Sequence, residues 1–166
     1  MNGDLLVYAF SIETTCKSEA KSFLKIIKVK DIVFGEHYKT IYKIKNESDK
    51  IFPGGSVLIQ ILYQSDVFHE RVQQIGRIEK GGTVTIKDDI LAVGVGCAMF
   101  QGKITADDNE PVKIIGDGRD LLDEEPFHAI FIRTWTDLHI YYALLATILS
   151  LVLIIFLFGV QLFLVK

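Results

Sequence analysis

This chain is poor in the patterns that announce chemistry. It has two cysteines in 166 residues, Cys16 and Cys97. Two cysteines cannot build a disulfide framework, and a bridge between them would require an exported domain. Cys97 falls inside an apolar strand pattern and reads as a small buried residue. Net charge is only −3, so nucleic acid is not expected as a partner. The four histidines, His37, His69, His128 and His139, share no HExxH, HxH or cysteine-paired spacing, so they predict no metal site. Gly-x-Ser-x-Gly is absent, and no spacing suggests a Ser-His-Asp arrangement. Gly94-Val-Gly96 lacks the third glycine and the following helix of a nucleotide-binding loop. Gly54-Gly-Ser56 opens a strand, so it is not a phosphate cradle. No catalytic residue and no cofactor is expected, and the chain reads as non-enzymatic.

Charge is unevenly placed. Between Lys17 and Lys50 stand nine lysines (17, 21, 25, 28, 30, 39, 43, 45, 50) against Glu19, Asp31, Glu36, Glu47 and Asp49. This stretch is either a solvated face or a basic face turned to anionic lipid or an acidic partner. Acids concentrate further on, at Asp107, Asp108, Glu110, Asp117, Asp120, Asp123, Glu124 and Glu125. Clustered carboxylates suit Ca²⁺. The EF-hand spacing fails here, because Arg119 and Leu121 stand where ligands should, and a solvated acidic loop is expected instead.

The largest absence is of charge at the end. From Leu138 to Val165 there is no Asp, Glu, Lys or Arg. A membrane helix needs about 20 apolar residues, at about 1.5 Å each, to cross about 30 Å of hydrocarbon. Ile140–Val165 is long enough, and a soluble helix rarely lacks a polar face for so long. The division expected is a domain over 1–137 and a transmembrane anchor over 138–166. Trp135, Tyr141 and Tyr142 at one edge and Lys166 at the other are expected at the membrane interface. Ala143, Ala146, Thr147, Ser150 and Gln161 are candidates for contact with other helices, although GxxxG is absent. The lipid bilayer is thus one expected partner. Other proteins, including other membrane subunits, are the rest.

Topology is read from the other end. Met1–Glu13 has no basic n-region, an early Asp4 and no small-residue cleavage site, so it does not read as a signal peptide. Glycine is third rather than second, against N-myristoylation. A single-pass tail anchor with a cytosolic domain is the expectation. The alternative exports residues 1–138. Asn46-Glu-Ser48 matches the N-glycosylation pattern, which matters only in a secretory lumen.

The remainder reads as strands. The expected runs are Leu5–Ile12, Phe23–Val33, His37–Lys45, Val57–Tyr63, a polar edge at Arg71–Ile78, Thr83–Lys87, Ala92–Thr105, Pro111–Ile115 and Phe127–Thr134. In His37–Lys45, Tyr38, Thr40, Tyr42 and Ile44 share one face, as an antiparallel sheet with one wet side requires. Turns fall at Phe34-Gly-Glu36, Asn46–Lys50, Pro53-Gly-Gly55 and Glu79-Lys-Gly-Gly82. Short strands at this spacing predict an all-β chain, an immunoglobulin-like antiparallel β-sandwich followed by one C-terminal transmembrane helix. Phe52 and Phe68 fall in predicted loops and are expected as exposed anchors for a partner.

Four pieces in order, Phe34-Gly-Glu36, Tyr38–Asn46, Val57–Tyr63 and Ile78-Glu-Lys-Gly-Gly-Thr-Val84, carry a family resemblance. The stretch Ile26–Thr105 resembles the immunoglobulin-like modules of the CARDB and NEW3 kind found in prokaryotic surface and membrane proteins. That resemblance implies adhesion, interaction or spacer roles, usually outside the cell. Trp135 follows both cysteines, so the pattern of an antibody domain is absent.

Overall fold

The computed structural model describes residues 8–20, 31–116, 119–121 and 125–164. The chain forms two compact units, residues 1–132 and 133–166. The first contains strands β1 (Tyr8–Ser18), β2 (Ile32–Val33), β3 (His37–Asn46), β4 (Gly55–Tyr63), β5 (Asp66–Ile75), β6 (Thr83–Leu91), β7 (Gly96–Ala106), β8 (Val112–Gly116), β9 (Arg119–Leu121) and β10 (His128–Arg133, its last residue in the second unit). The second is the helix α1 (Trp135–Leu164).

The strands make two five-stranded sheets, ordered β6-β3-β1-β8-β9 and β2-β10-β7-β4-β5. The described registers are antiparallel except for β1 with β8, which run parallel from Tyr8 opposite Val112 to Ser11 opposite Ile115. The expected sandwich is therefore present, with one parallel pair that alternation alone does not reveal. In β3, buried and exposed residues alternate from His37 to Asn46. Such a period of two puts one set of side chains on the core face and makes a one-residue slip costly.

Several boundaries differ from the sequence expectation for identifiable reasons. Strand β5 starts at Asp66 because Gln64 and Ser65, with φ of 52° and 71°, close a two-residue hairpin of the type that matches strand twist. Strand β7 starts at Gly96 rather than Ala92. Gly94 has φ +79°, and a Cβ there would stand 2.6 Å from the Tyr63 ring. Strand β6 continues to Leu91 because β3 pairs it as far as His37 opposite Leu91. Strand β1 continues to Ser18, paired with Tyr38. The expected strand over 23–33 lies mostly outside the described residues, as does the start of Leu5–Ile12.

The core lies between the sheets. Phe10, Tyr42, Ile44, Ile86 and Ile90 face Val57, Ile59, Ile61, Phe100 and Ile104 in one buried cluster. Each such side chain is worth roughly 1.5–3 kcal/mol when fully buried. Phe52 belongs to this cluster and is fully buried, so it is not the exposed anchor expected from its loop position. Its N–H and C=O both pair with Ile78, each at 2.9 Å. Its ring meets those of Tyr8 and Phe10 edge-on, at 5.3 and 5.0 Å. The isolated bridge to Ile78 turns a loop residue inward.

Asn46 is buried as well. Its amide nitrogen donates to the carbonyls of Lys50 at 2.8 Å and Ile78 at 3.3 Å. Its amide oxygen accepts from the Ser48 N–H at 3.1 Å and hydroxyl at 2.6 Å. These bonds hold the loop that places Phe52, and a glycan on Asn46 is incompatible with them.

Residues 133–166 form the second unit. The helix starts in polar sequence, ahead of the apolar run. The Thr134 hydroxyl accepts from the Asp137 N–H at 3.0 Å, and the Asp137 carboxylate accepts from the Thr134 N–H at 3.3 Å. This reciprocal cap satisfies two groups that helix formation leaves orphaned.

Phe52→Ala is expected to lower unfolding stability by about 3–5 kcal/mol, the usual cost of emptying a core aromatic site. Urea titration of the full chain in detergent checks this. A change within about 0.5 kcal/mol, as at a surface site, would contradict the packing described.

Candidate interaction surfaces

The outer face of the β6-β3-β1-β8-β9 sheet carries many charged side chains. Alternation sends Lys39, Lys43 and Lys45 of β3, Lys17 of β1 and Lys87 of β6 outward. Lys39 pairs with Glu19 at 3.2 Å, Lys43 with Glu13 at 3.5 Å and Lys45 with Glu47 at 3.0 Å. Hydrogen bonds from Ser11 and Lys45 hold the Glu47 carboxyl below the usual range. All these pairs are open to water, where an ion pair is worth roughly 0–1 kcal/mol. They contribute little to the fold and exchange readily for a partner's anionic groups. A groove of about 390 Å³ opens among Lys17, Lys39, Ile41, Lys87 and Asp89. The basic face foreseen between Lys17 and Lys50 is thus present in part. Lys21, Lys25, Lys28 and Lys30 lie outside the described residues.

A second cluster closes one open side of the sandwich, where β6 of one sheet nears β5 of the other. Asp88 has a side chain only 10% exposed and binds His69 Nε2 at 2.7 Å and Arg71 at 2.9 Å. Arg71 also donates to the Lys87 carbonyl at 3.0 Å. Thr40 lies opposite Asp88 and opposite Cys16 in the same sheet, and its hydroxyl is 3.6 Å from the Cys16 sulfur. Burial pushes the Cys16 thiol up, against reactivity. The hydroxyls of Thr14, Tyr38 and Tyr42 are buried without a hydrogen-bond partner among the described residues. Burial pushes both phenols up. The cluster joins two sheet edges electrostatically. Burial in it favours the neutral forms of its thiol and phenols.

The acidic stretch is a turn rather than a ligand cage where it is described. Asp108 accepts from the Tyr8 hydroxyl at 2.7 Å and from the Glu110 N–H at 3.1 Å. The Tyr8 bond holds Asp108 below its usual value and pushes Tyr8 up to about 12. No group of three or more His, Cys, Asp or Glu suited to a metal occurs among the described residues. Asp117, Asp123 and Glu124 lie outside them.

Phe68, expected in a loop, is in β5 and half-buried against the core. Cys97 is exposed rather than buried, because it alternates with Ala98, which takes the core position. His37 bonds Asp89 at 2.8 Å. In α1, Trp135 lies near His139, and Tyr141 near Tyr142, with ring centroids at 6.0 and 5.6 Å. Ala143, Ala146, Thr147, Ser150 and Gln161 fall on one helix face at 3.6 residues per turn. Two of them already satisfy their hydroxyls within the helix: Thr147 donates to the Ala143 carbonyl at 2.9 Å and Ser150 to the Thr147 carbonyl at 2.8 Å. Lys166 lies outside the described residues. Sequence reasoning missed the Asp88 cluster, whose signal was an acid standing between Ile86 and Ile90 on the inward face of β6.

No protein-family model and no curated protein matches the chain. Among solved structures it is similar to the CARDB domain of a Pyrococcus furiosus protein, in complex with di-metal ions. The identity is 9%, the coverage 75% of this chain and 88% of that one, and the TM-score 0.45. A CARDB domain is thus among the structures this chain is similar to, in keeping with the resemblance drawn from its sequence. It is also similar to a β-glucosidase from Listeria innocua in complex with glucose, at 10% identity, with a TM-score of 0.36. That match covers 74% of this chain and 16% of the glucosidase.

Burial holds the His128 imidazole below its usual value, and its ring meets Phe100 edge-on at 5.5 Å. An unfolded histidine titrates near 6.5. Below that pH the unfolded chain binds the proton that the folded chain refuses, so this contribution to stability is present above about 6.5 and lost as pH falls. Thermal melts of the full chain should show a lower Tm at about pH 5.5 than at about 7.5. His128→Phe should flatten the difference, and an unchanged pH dependence in that variant would contradict the assignment.

Proposed function

We propose that this protein is a membrane-anchored, non-enzymatic interaction module. The β-sandwich is the binding domain, and α1 is a single-pass tail anchor that confines it to a bilayer surface. One observation carries the reading: within Trp135–Gln161 an 18-residue window has a mean hydropathy of 2.9, and protein buries none of that window. Such a helix in water would expose apolar surface along most of its length, and lipid is the solvent that removes the cost. Confinement raises the domain's effective concentration toward any partner on the same membrane. The basic outer face, with its weak and exchangeable ion pairs, suits an acidic protein surface.

A second reading, from another class, makes the protein a small accessory subunit whose helix supplies the main contacts to other membrane subunits. The shared face of Ala143, Ala146, Thr147, Ser150 and Gln161 favours it, since small residues permit close helix packing in lipid. The internally satisfied hydroxyls of Thr147 and Ser150 weigh against it, because neither needs a partner helix.

Alkaline carbonate extraction of membranes from expressing cells tests the anchor. The full chain should stay in the pellet, and a chain truncated after Arg133 should be found in the supernatant. A full chain released by carbonate contradicts the proposal.

A further inference from the structure

The end of the sandwich from which the chain leaves for the helix presents apolar tips on a braced frame. Strand β10 runs to this end, with Ile132 opposite Gly96 at the start of β7. The turn Val33–Glu36, the loop 92–95 and the β4–β5 hairpin stand at the same end. Turn and loop are bonded to one another. The Gly35 N–H donates to the Ala92 carbonyl at 2.9 Å, and the Ala92 N–H donates to the Glu36 carbonyl at 3.0 Å. The Glu36 N–H closes the turn on the Val33 carbonyl at 3.1 Å. The Tyr63 hydroxyl donates to the Val95 carbonyl, and the Tyr63 ring packs against Gly94.

These bonds use the backbone polar groups of the tips and leave apolar side chains outside. Phe34 is 49% exposed, Leu91 45%, Val95 38% and Val67 47%. Phe34 stands at the first corner of its turn, ahead of Gly35 with φ +79°. The corner makes no packing demand that an aromatic ring would meet. The charged groups at this end are mixed. Lys39 and His37 are paired with Glu19 and Asp89, Glu36 closes the turn and Asp66 opens β5. Charge attraction is therefore not what this end offers. It offers apolar area held at a fixed place.

We propose that this end docks on a lipid surface, with Phe34 and Val95 entering the boundary between headgroups and acyl chains. The proposal rests on reading α1 as a membrane anchor. Only Arg133 and Thr134 lie between Ile132 and Trp135, a reach of at most about 11 Å of extended chain. A bilayer holding α1 is within reach of these tips at all times, whereas any other partner must arrive by diffusion. Apolar groups of surface-bound segments settle about 5–10 Å into that boundary. Docking of two fixed tips would hold the sandwich in one orientation and direct its other faces to partners.

The test uses the full chain in neutral phosphatidylcholine vesicles, with Cys16→Ala and Cys97→Ser as background. Single cysteines are placed by Phe34→Cys, Val95→Cys and Lys80→Cys and labelled with an environment-sensitive fluorophore. Lys80 marks the opposite end, in the turn whose Gly81 N–H bonds the Asn46 carbonyl at 3.0 Å. Labels at 34 and 95 should shift to shorter wavelength and be quenched by lipids bearing a nitroxide near the headgroup, and the label at 80 should show neither effect. Equal access of an aqueous quencher to all three labels overturns the proposal. Shielding at 34 and 95 without nitroxide quenching overturns it too, and assigns the tips to a second copy or another protein. A chain that fails to float with the vesicles removes the anchor reading itself, an outcome distinct from a floating chain with wet tips.

Discussion

The packing of the two inner sheet faces against each other is the constraint on which the rest of the molecule depends. Phe10, Tyr42 and Ile44 on one side and Ile59, Phe100 and Ile104 on the other are buried in one cluster. Because side chains in a strand alternate with a period of two, burying these residues fixes which residues face out. The outward set on β3 is Lys39, Lys43 and Lys45, and on β6 it includes Lys87. The basic face is therefore a consequence of the core register. A one-residue slip of β3 would bury its lysines and expose Tyr38 and Tyr42.

The same register accounts for the polar interior at one side. Thr40 sits between Tyr38 and Tyr42 on the core face of β3, and Asp88 sits between Ile86 and Ile90 on that of β6. An acid so nearly buried needs compensation. It receives it from His69 and Arg71 of β5, a strand of the facing sheet. The pairing joins two edges that would otherwise be open, and edges left open invite pairing with other chains. Removing Asp88 alone would leave a cation without its partner, which is the costly way to break such a site.

The strand pattern, the two-sheet class and the apolar tail were legible in the sequence because each depends on local periodicity. β3 matches its expected span to within a residue. The positions of Phe52 and Cys97 were not legible. Phe52 lies in a loop, and what buries it is a bridge to Ile78 together with rings from Tyr8 and Phe10, none of which is close in sequence. Cys97 lies in an apolar run whose composition does not say which alternate set faces inward, and in β7 it is Ala98, Phe100 and Ile104. The parallel β1–β8 pair and the Asp88 cluster are likewise products of tertiary contact. Asp88 left one local trace, an acid at a core position of an alternating strand.

Among the described elements α1 leaves apolar side chains exposed from Ile140 onward, and in the proposed reading lipid covers them. Oriented circular dichroism of the full chain in stacked bilayers tests this most directly. The account predicts a helix aligned near the bilayer normal, with a tilt of about 20° typical of spanning helices. A helix lying in the plane of the membrane, or a helical signal that does not orient at all, would contradict it.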